Sequence, residues 1–68
     1  MSTVRVQAKY HGESFEYDTV VESDTSEAVV QLVGEGLLFA NGWQLDPDLF
    51  YRVLLDDDIV FDDDYDLI

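Results

Sequence analysis

Two alternating stretches flanking a glycine constrain this chain more than any other feature. Val4, Val6, Ala8 and Tyr10 alternate with Arg5, Gln7 and Lys9. Phe15, Tyr17, Thr19 and Val21 alternate with Glu16, Asp18, Val20 and Glu22. A period of two sends successive side chains to opposite faces, so each stretch reads as a strand with one apolar face. His11-Gly12-Glu13-Ser14 lies between them, and a two-residue turn with Gly12 first is type II′. That register sets Tyr10 opposite Phe15, Ala8 opposite Tyr17, Val6 opposite Thr19 and Val4 opposite Val21. It also sets Lys9 opposite Glu16 and Gln7 opposite Asp18, a favourable outer face.

Asp24-Thr25-Ser26-Glu27 reads as a helix start, with Asp24 able to cap and Glu27 three residues on. Val29, Val30, Val33, Leu37 and Ala40 then fall on one helical face. Gly34 and Gly36 each weaken a helix by about 1 kcal/mol relative to alanine. Either they let the backbone approach the sheet closely or the helix breaks near them. Asn41-Gly42 is a stop signal. Asp46 followed by Pro47 predicts one short helical turn. Residues 51–55 and 59–61 read as buried strands, joined by Asp56-Asp57-Asp58, whose turn type the residues leave open. The order is β-β-α-β-β. This predicts one α+β domain over residues 1–68, with one helix on a small, mostly antiparallel four-stranded sheet.

A 68-residue chain buries only about 60% of its unfolded surface. There is no cysteine to staple it. Nine aromatic residues and an apolar fraction of 47% argue for a packed core all the same. The anomaly is charge: sixteen acids face three bases, a net of −13. Residues 1–34 hold six acids and two bases, net −4, and residues 35–68 hold ten acids and one base, net −9. Within residues 56–66, seven of eleven positions are Asp. Such a chain repels nucleic acid and anionic lipid and attracts basic surfaces.

Catalytic signals are weak. The single histidine, His11, falls in a predicted exposed turn with no neighbour placed to activate it. Acid–base chemistry needs one carboxyl buried and its pKa raised, which a solvated Asp run does not supply. Gly34-Glu35-Gly36 would set an acid beside any phosphate and sits late in an apolar helix. Asp62, Asp64 and Asp66 have the spacing of the first calcium-loop ligands, but Leu67 stands where that loop needs glycine. The expectation is a non-enzymatic protein without cofactor or resident metal. No apolar run is long enough for a membrane span or for a secretory leader. The expected location is the cytoplasm, or the host cytoplasm if a phage encodes the chain.

The Asp run admits three readings. Charges on an edge strand block aggregation, which explains two or three of them. Halophilic adaptation spreads acids over a surface and makes lysine scarce, and there is a single Lys. The third reading is mimicry of a nucleic-acid backbone. In extended chain, eleven residues span at most about 36 Å, one charge per ~5 Å. One strand of duplex DNA carries one per about 3.4 Å. A surface that grips phosphates with Arg and Lys can grip carboxylates at that density. The partner-binding surface is therefore expected at Asp46, Asp48, Asp56, Asp57, Asp58, Asp62, Asp63, Asp64 and Asp66, with Tyr65 as an exposed aromatic anchor. Trp43 and Phe61 are expected in the core.

By size, and by Asp56–Asp58, Asp62–Asp64 and Asp66, the chain resembles the small acidic DNA-mimic inhibitors of phages and mobile elements. Anti-restriction and anti-CRISPR proteins are among these. The resemblance implies stoichiometric occlusion of a basic surface on a nucleic-acid-binding protein, with no direct contact to nucleic acid. A second resemblance is to the β-grasp, or ubiquitin-like, layout. It rests on the hairpin over 3–22, the helix from Thr25, and the strands Tyr51–Leu55 and Ile59–Phe61. It implies a protein-interaction module, and joined to the halophilic reading of the acids it gives the alternative expectation, a ubiquitin-like module of a salt-adapted organism. Leu67-Ile68 stand where conjugation would need Gly-Gly.

Overall fold

The computed structural model describes residues 1–63 and Tyr65. Its elements are β1 (Ser2–Tyr10), β2 (Glu13–Val21), α1 (Glu27–Ala40), β3 (Leu49–Leu55) and β4 (Asp58–Asp63). The strands form one antiparallel sheet in the order β2-β1-β3-β4. The fold is α+β, as the order of elements predicts. β2 and β3 both run antiparallel to β1, so α1 carries the chain across β1 from one side to the other.

The first hairpin forms, but two residues out of the expected register. Tyr10 faces Glu13, Ala8 faces Phe15, Val6 faces Tyr17 and Val4 faces Thr19. The turn is His11-Gly12, with φ of 50° and 84°. Two positive φ values make a type I′ turn, whose twist matches that of the strands. Histidine is among the residues that enter this region more readily than most. A slip of two preserves the parity of every side chain, so the alternation predicts the faces correctly under either register. The outer pairs change: Lys9 faces Ser14, Gln7 faces Glu16 and Arg5 faces Asp18.

The helix begins two residues later than Asp24 suggests. Ser26 is the N-cap, and its hydroxyl accepts from the Val29 N–H at 3.4 Å. The buried face is Val30, Gly34 and Leu38, flanked by Val33 and Leu37. Val29 and Ala40 are exposed instead. Gly34 explains this rotation: a Cβ built there would lie 2.6 Å from Val53 Cγ2. The helix turns its hydrogen side chain to β3 and comes close. Gly36 has open space above it. The stop at Asn41-Gly42 forms as expected. Gly42 has φ of 88°, its N–H donates to the Phe39 carbonyl, and the Trp43 N–H reaches back to the Leu38 carbonyl.

Residues 46–49 make a single turn, not a helix. The Leu49 N–H donates to the Asp46 carbonyl at 3.0 Å, and the Asp48 N–H donates to the Asp46 carboxylate at 2.7 Å. The β3–β4 turn is Asp56-Asp57, with φ of 49° and 71°, again type I′. Leu54 pairs with Ile59 but Val53 with Phe61, so Val60 is the extra residue of a bulge. The bulge reverses parity along β4. Ile59, expected to be buried, is 50% exposed, while Val60 and Phe61 pack against the core.

The core lies between α1 and one sheet face: Val4, Val6, Ala8, Val30, Leu38, Leu49, Tyr51 and Val53. Trp43 and Phe61 are half-buried against it. Trp43 stacks on Phe15 at 4.3 Å between centroids, and its indole N–H donates to the Tyr17 hydroxyl at 3.0 Å. The shortest dimension is 16 Å, that of one helix on one sheet. Among the described residues, no helix or strand covers the second sheet face.

Candidate functional site

Strand pairing sorts the acids onto three parts of the molecule. Asp56 and Asp57 form the turn beside the start of β1, and Asp58 opens β4. Asp46 and Asp48 precede Leu49, which pairs with Tyr10 at the other end of the sheet. Between the two ends, β4 is an edge strand bearing Asp62 and Asp63. All seven carboxylates are exposed. They line the β3–β4 margin from end to end. Asp64 and Asp66 lie outside the described residues, and so does the calcium-like spacing that includes them.

The run is not one extended ribbon of charge. The Asp56 and Thr3 backbones and side chains close a reciprocal pair. The Thr3 N–H donates to Asp56 Oδ1 at 2.9 Å, and the Asp56 N–H donates to the Thr3 carbonyl at 2.9 Å. The Thr3 hydrogen bond, joined by the Ser2 side chain, holds the Asp56 carboxyl below its usual range. Asp57 turns toward Arg5, whose Nη1 stands 3.3 Å from Oδ1. Among the described residues, the spacing of an extended chain therefore applies to β4 alone.

The helix-free sheet face mixes charge. Alternation from Val4, Val6 and Ala8 puts Arg5 and Lys9 on it, and Arg52 pairs with Gln7 on the same face. All three bases of the chain are therefore gathered there. Arg5 stands 3.4 Å from Glu16 and 3.8 Å from Asp18 as well as beside Asp57. Arg52 Nε donates to Gln7 Oε1 at 2.6 Å, and Gln7 Nε2 donates to Glu16 at 3.4 Å. Arg52 also lies opposite Asp62 in the ladder.

Tyr65 belongs to this network. It is half-buried, not an exposed anchor. Its ring lies 4.2 Å from Lys9 Nζ and 4.5 Å from Arg52 Cζ, two cation–π contacts. Its carbonyl accepts from Lys9 at 3.3 Å, and its N–H donates to Asp62 at 3.0 Å. Its own flanking residues conceal this, because the cations it meets come from strands about 13 and 56 positions away.

Glu35 was not among the expected site residues. It accepts a 2.8 Å hydrogen bond from the Tyr51 hydroxyl and one from Gln31 at 3.2 Å. Burial first, then Glu35 as acceptor and neighbouring charge, raises the Tyr51 pKa well above its ordinary value. The signal available in the sequence was only a lone acid between two helical glycines.

Two hollows are shallow. One, of about 160 Å³, is lined by Gln7, Ser14, Phe15, Glu16 and Tyr65. The other, of about 200 Å³, is lined by Thr3, Arg5, Asp56 and Asp57. Clefts that enclose small ligands usually hold ~300–1,000 Å³. His11 is exposed in its turn, 3.8 Å from Asp48. Among the described residues no group of three or more His, Asp or Glu side chains is placed to hold a metal ion. Among them, too, no helix is long and apolar enough to cross a membrane. No protein-family model, curated protein or solved structure matches this chain.

Proposed function

We propose that this chain is a non-enzymatic acidic binding protein that occludes a basic, nucleic-acid-binding surface of another protein, as DNA-mimic inhibitors do. The observation that carries the reading is the segregation of charge. Seven exposed carboxylates line the β3–β4 margin, while the three bases are gathered on the helix-free face and engaged there. A partner approaching the margin meets mostly carboxylates, interrupted where Arg5 stands beside Asp57 and Arg52 lies opposite Asp62.

Long-range attraction would steer a basic partner to that margin and make association fast and salt-sensitive. At contact, arginine forks and lysine ammoniums would pair with Asp58, Asp62 and Asp63 through charge-assisted hydrogen bonds. Asp46 and Asp48 extend the contact at one end and Asp56 and Asp57 at the other. Asp64 and Asp66 complete the set by sequence. No bond is made or broken: inhibition is stoichiometric. The place of action is the cytoplasm, where such partners hold nucleic acid, and the host's cytoplasm if a phage carries the chain.

The test is competition. A panel of purified basic DNA- and RNA-binding proteins is loaded with labelled duplex or single strand, and the chain is titrated in. The expected result is displacement from at least one of them near equimolar chain, lost when Asp62, Asp63 and Asp64 are changed to Asn. Undiminished affinity of that triple variant for the displaced protein would sink the reading.

One observation favours a second reading, an interaction module whose acidity serves solvation in high salt. Glu16 and Asp18 on β2, and Glu22, Asp24 and Glu27 before and at the start of α1, are also exposed. Acids therefore extend beyond the margin. Such a domain would be poorly folded at low salt, which the mimic reading does not require.

A further inference from the structure

We propose that the outer face of α1 is a docking stripe for an apolar helix with a basic margin on another protein. At about 100° per residue, Ala28, Phe39, Leu32, Gly36, Val29 and Ala40 fall in that order around one continuous arc. All six are exposed, with Val29 at 46%, Leu32 at 64% and Phe39 at 52%. Single exposed apolar residues need no explanation, whereas a contiguous stripe marks a contact. No charged residue interrupts the arc in a chain with nineteen Asp, Glu, Lys and Arg side chains.

Gly36 is the independent observation. Gly34 is accounted for inside the molecule, because Val53 fills the space a side chain would need. Gly36 has nothing within 4 Å of where a Cβ would stand. A helix-weakening residue at the middle of a face, serving no contact of its own chain, leaves a notch between Leu32 and Phe39. A bulky side chain of a partner helix can enter it, as glycine permits close backbone approach.

Charge selects the occupant. Of the two charged groups of the helix, Glu35 borders the stripe beside Ala28, whereas Glu27 falls on the sheet side between Gly34 and Leu38. The exposed Asp63 lies on the β4 edge beyond Tyr51 and Glu35. Every base lies across the sheet on the opposite face. A second copy would bring acids against acids, with no cation to pair them. A helix with Lys or Arg along one margin faces Glu35 and Asp63 while its apolar face covers Leu32 and Phe39. The inference rests on the acidic-binder reading for the sign of the partner's charge, and adds a second, apolar contact to it.

The probes are two labelled peptides of identical composition, about five helical turns long. One keeps leucine and alanine on one face with lysine on both flanks. The other has its lysines moved into that face. Fluorescence anisotropy at near-physiological salt should give at least tenfold tighter binding of the segregated peptide. Leu32→Gln and Phe39→Gln should each weaken it at least fivefold. Gly36→Met should weaken it as much while leaving the chain folded, so loss cannot be laid to unfolding. Asp62→Asn with Asp63→Asn should weaken both peptides alike. Equal binding of the two peptides, or no effect of Gly36→Met, overturns the stripe but leaves the acidic-binder reading standing. Failure of both peptides even at low salt overturns that reading as well. A dimer in sedimentation equilibrium, abolished by Leu32→Gln, overturns the proposed occupant in favour of a second copy.

Discussion

Gly34 lies against Val53 so closely that a single methyl group at its Cα would stand 2.6 Å from Val53 Cγ2 and 2.9 Å from Cγ1. Val53 is fully buried and branched at Cβ, so its methyls have little room to withdraw. The contact fixes which face of α1 meets the sheet. Gly34→Ala should therefore destabilise. Overpacking costs about 1–3 kcal/mol and the gain in helix propensity returns about 1 kcal/mol. Gly36→Ala meets open space and should stabilise by about 0.5–1 kcal/mol. Urea denaturation of the two variants should move in opposite directions. A shared direction would refute this account of the helix rotation.

The Tyr51 hydroxyl is held neutral by burial and by its hydrogen bond to Glu35, so its folded pKa lies above its unfolded one. Stability from this pair is fully present below the unfolded pKa of about 10. It is lost as pH rises from there, because the unfolded chain ionises first. Thermal melts from neutral pH to about pH 11 should show a loss that is smaller in Tyr51→Phe. Ultraviolet titration should find one of the four tyrosines ionising last, and that phase should vanish in the variant. An unchanged titration would place the late tyrosine elsewhere.

Asp56 behaves in the opposite sense. Its carboxyl is held low by the Thr3 N–H first and the Ser2 side chain second. Its contribution is present above the unfolded pKa and lost as pH falls through the lower folded value. Mild acid also relieves the repulsion of a −13 chain, which acts the other way. The informative quantity is the difference between wild type and Asp56→Asn. It should shrink as pH falls from about 5 toward 2, and a pH-independent difference would contradict the Thr3 contact.

Asp57 sits at φ of 71°, where a side chain is strained. Asp57→Gly creates Asp-Gly, a favoured type I′ pair. Relief of about 1 kcal/mol outweighs an exposed ion pair to Arg5 worth about 0–1 kcal/mol. The variant should melt slightly higher than wild type, by one to a few degrees at roughly 0.5 kcal/mol. A lower melting temperature would assign the Arg5 contact a larger part than solvent exposure allows.

Salt should stabilise the chain without being required. Raising NaCl from about 0.05 M to about 1 M shortens the Debye length several-fold and weakens repulsion among the exposed acids. Circular dichroism should find a folded chain at the lower concentration and a melting point higher by several degrees at the upper. A chain unfolded at low salt would support the salt-adapted module over the mimic.

Alternation in 3–10 and 15–22 was enough to assign the inward face of the first hairpin, since even a two-residue slip leaves parity intact. Spacing and stop signals placed α1 to within two residues at its start. The density of Asp in 56–66 marks most of the charged margin in the sequence itself. These properties are local, and the residues that determine them are neighbours in the chain. The tertiary structure alone decided that β3 pairs with β1, which brings Arg52 beside Gln7 and gathers the three bases on one face. It alone decided that Val53 meets Gly34, that the Val60 bulge turns Ile59 outward, and that Tyr65 folds onto Lys9 and Arg52. Each of these joins residues far apart in sequence through packing and pairing, where many partners of similar character compete. Periodicity limits which face a side chain takes; only the assembled sheet selects what stands opposite it.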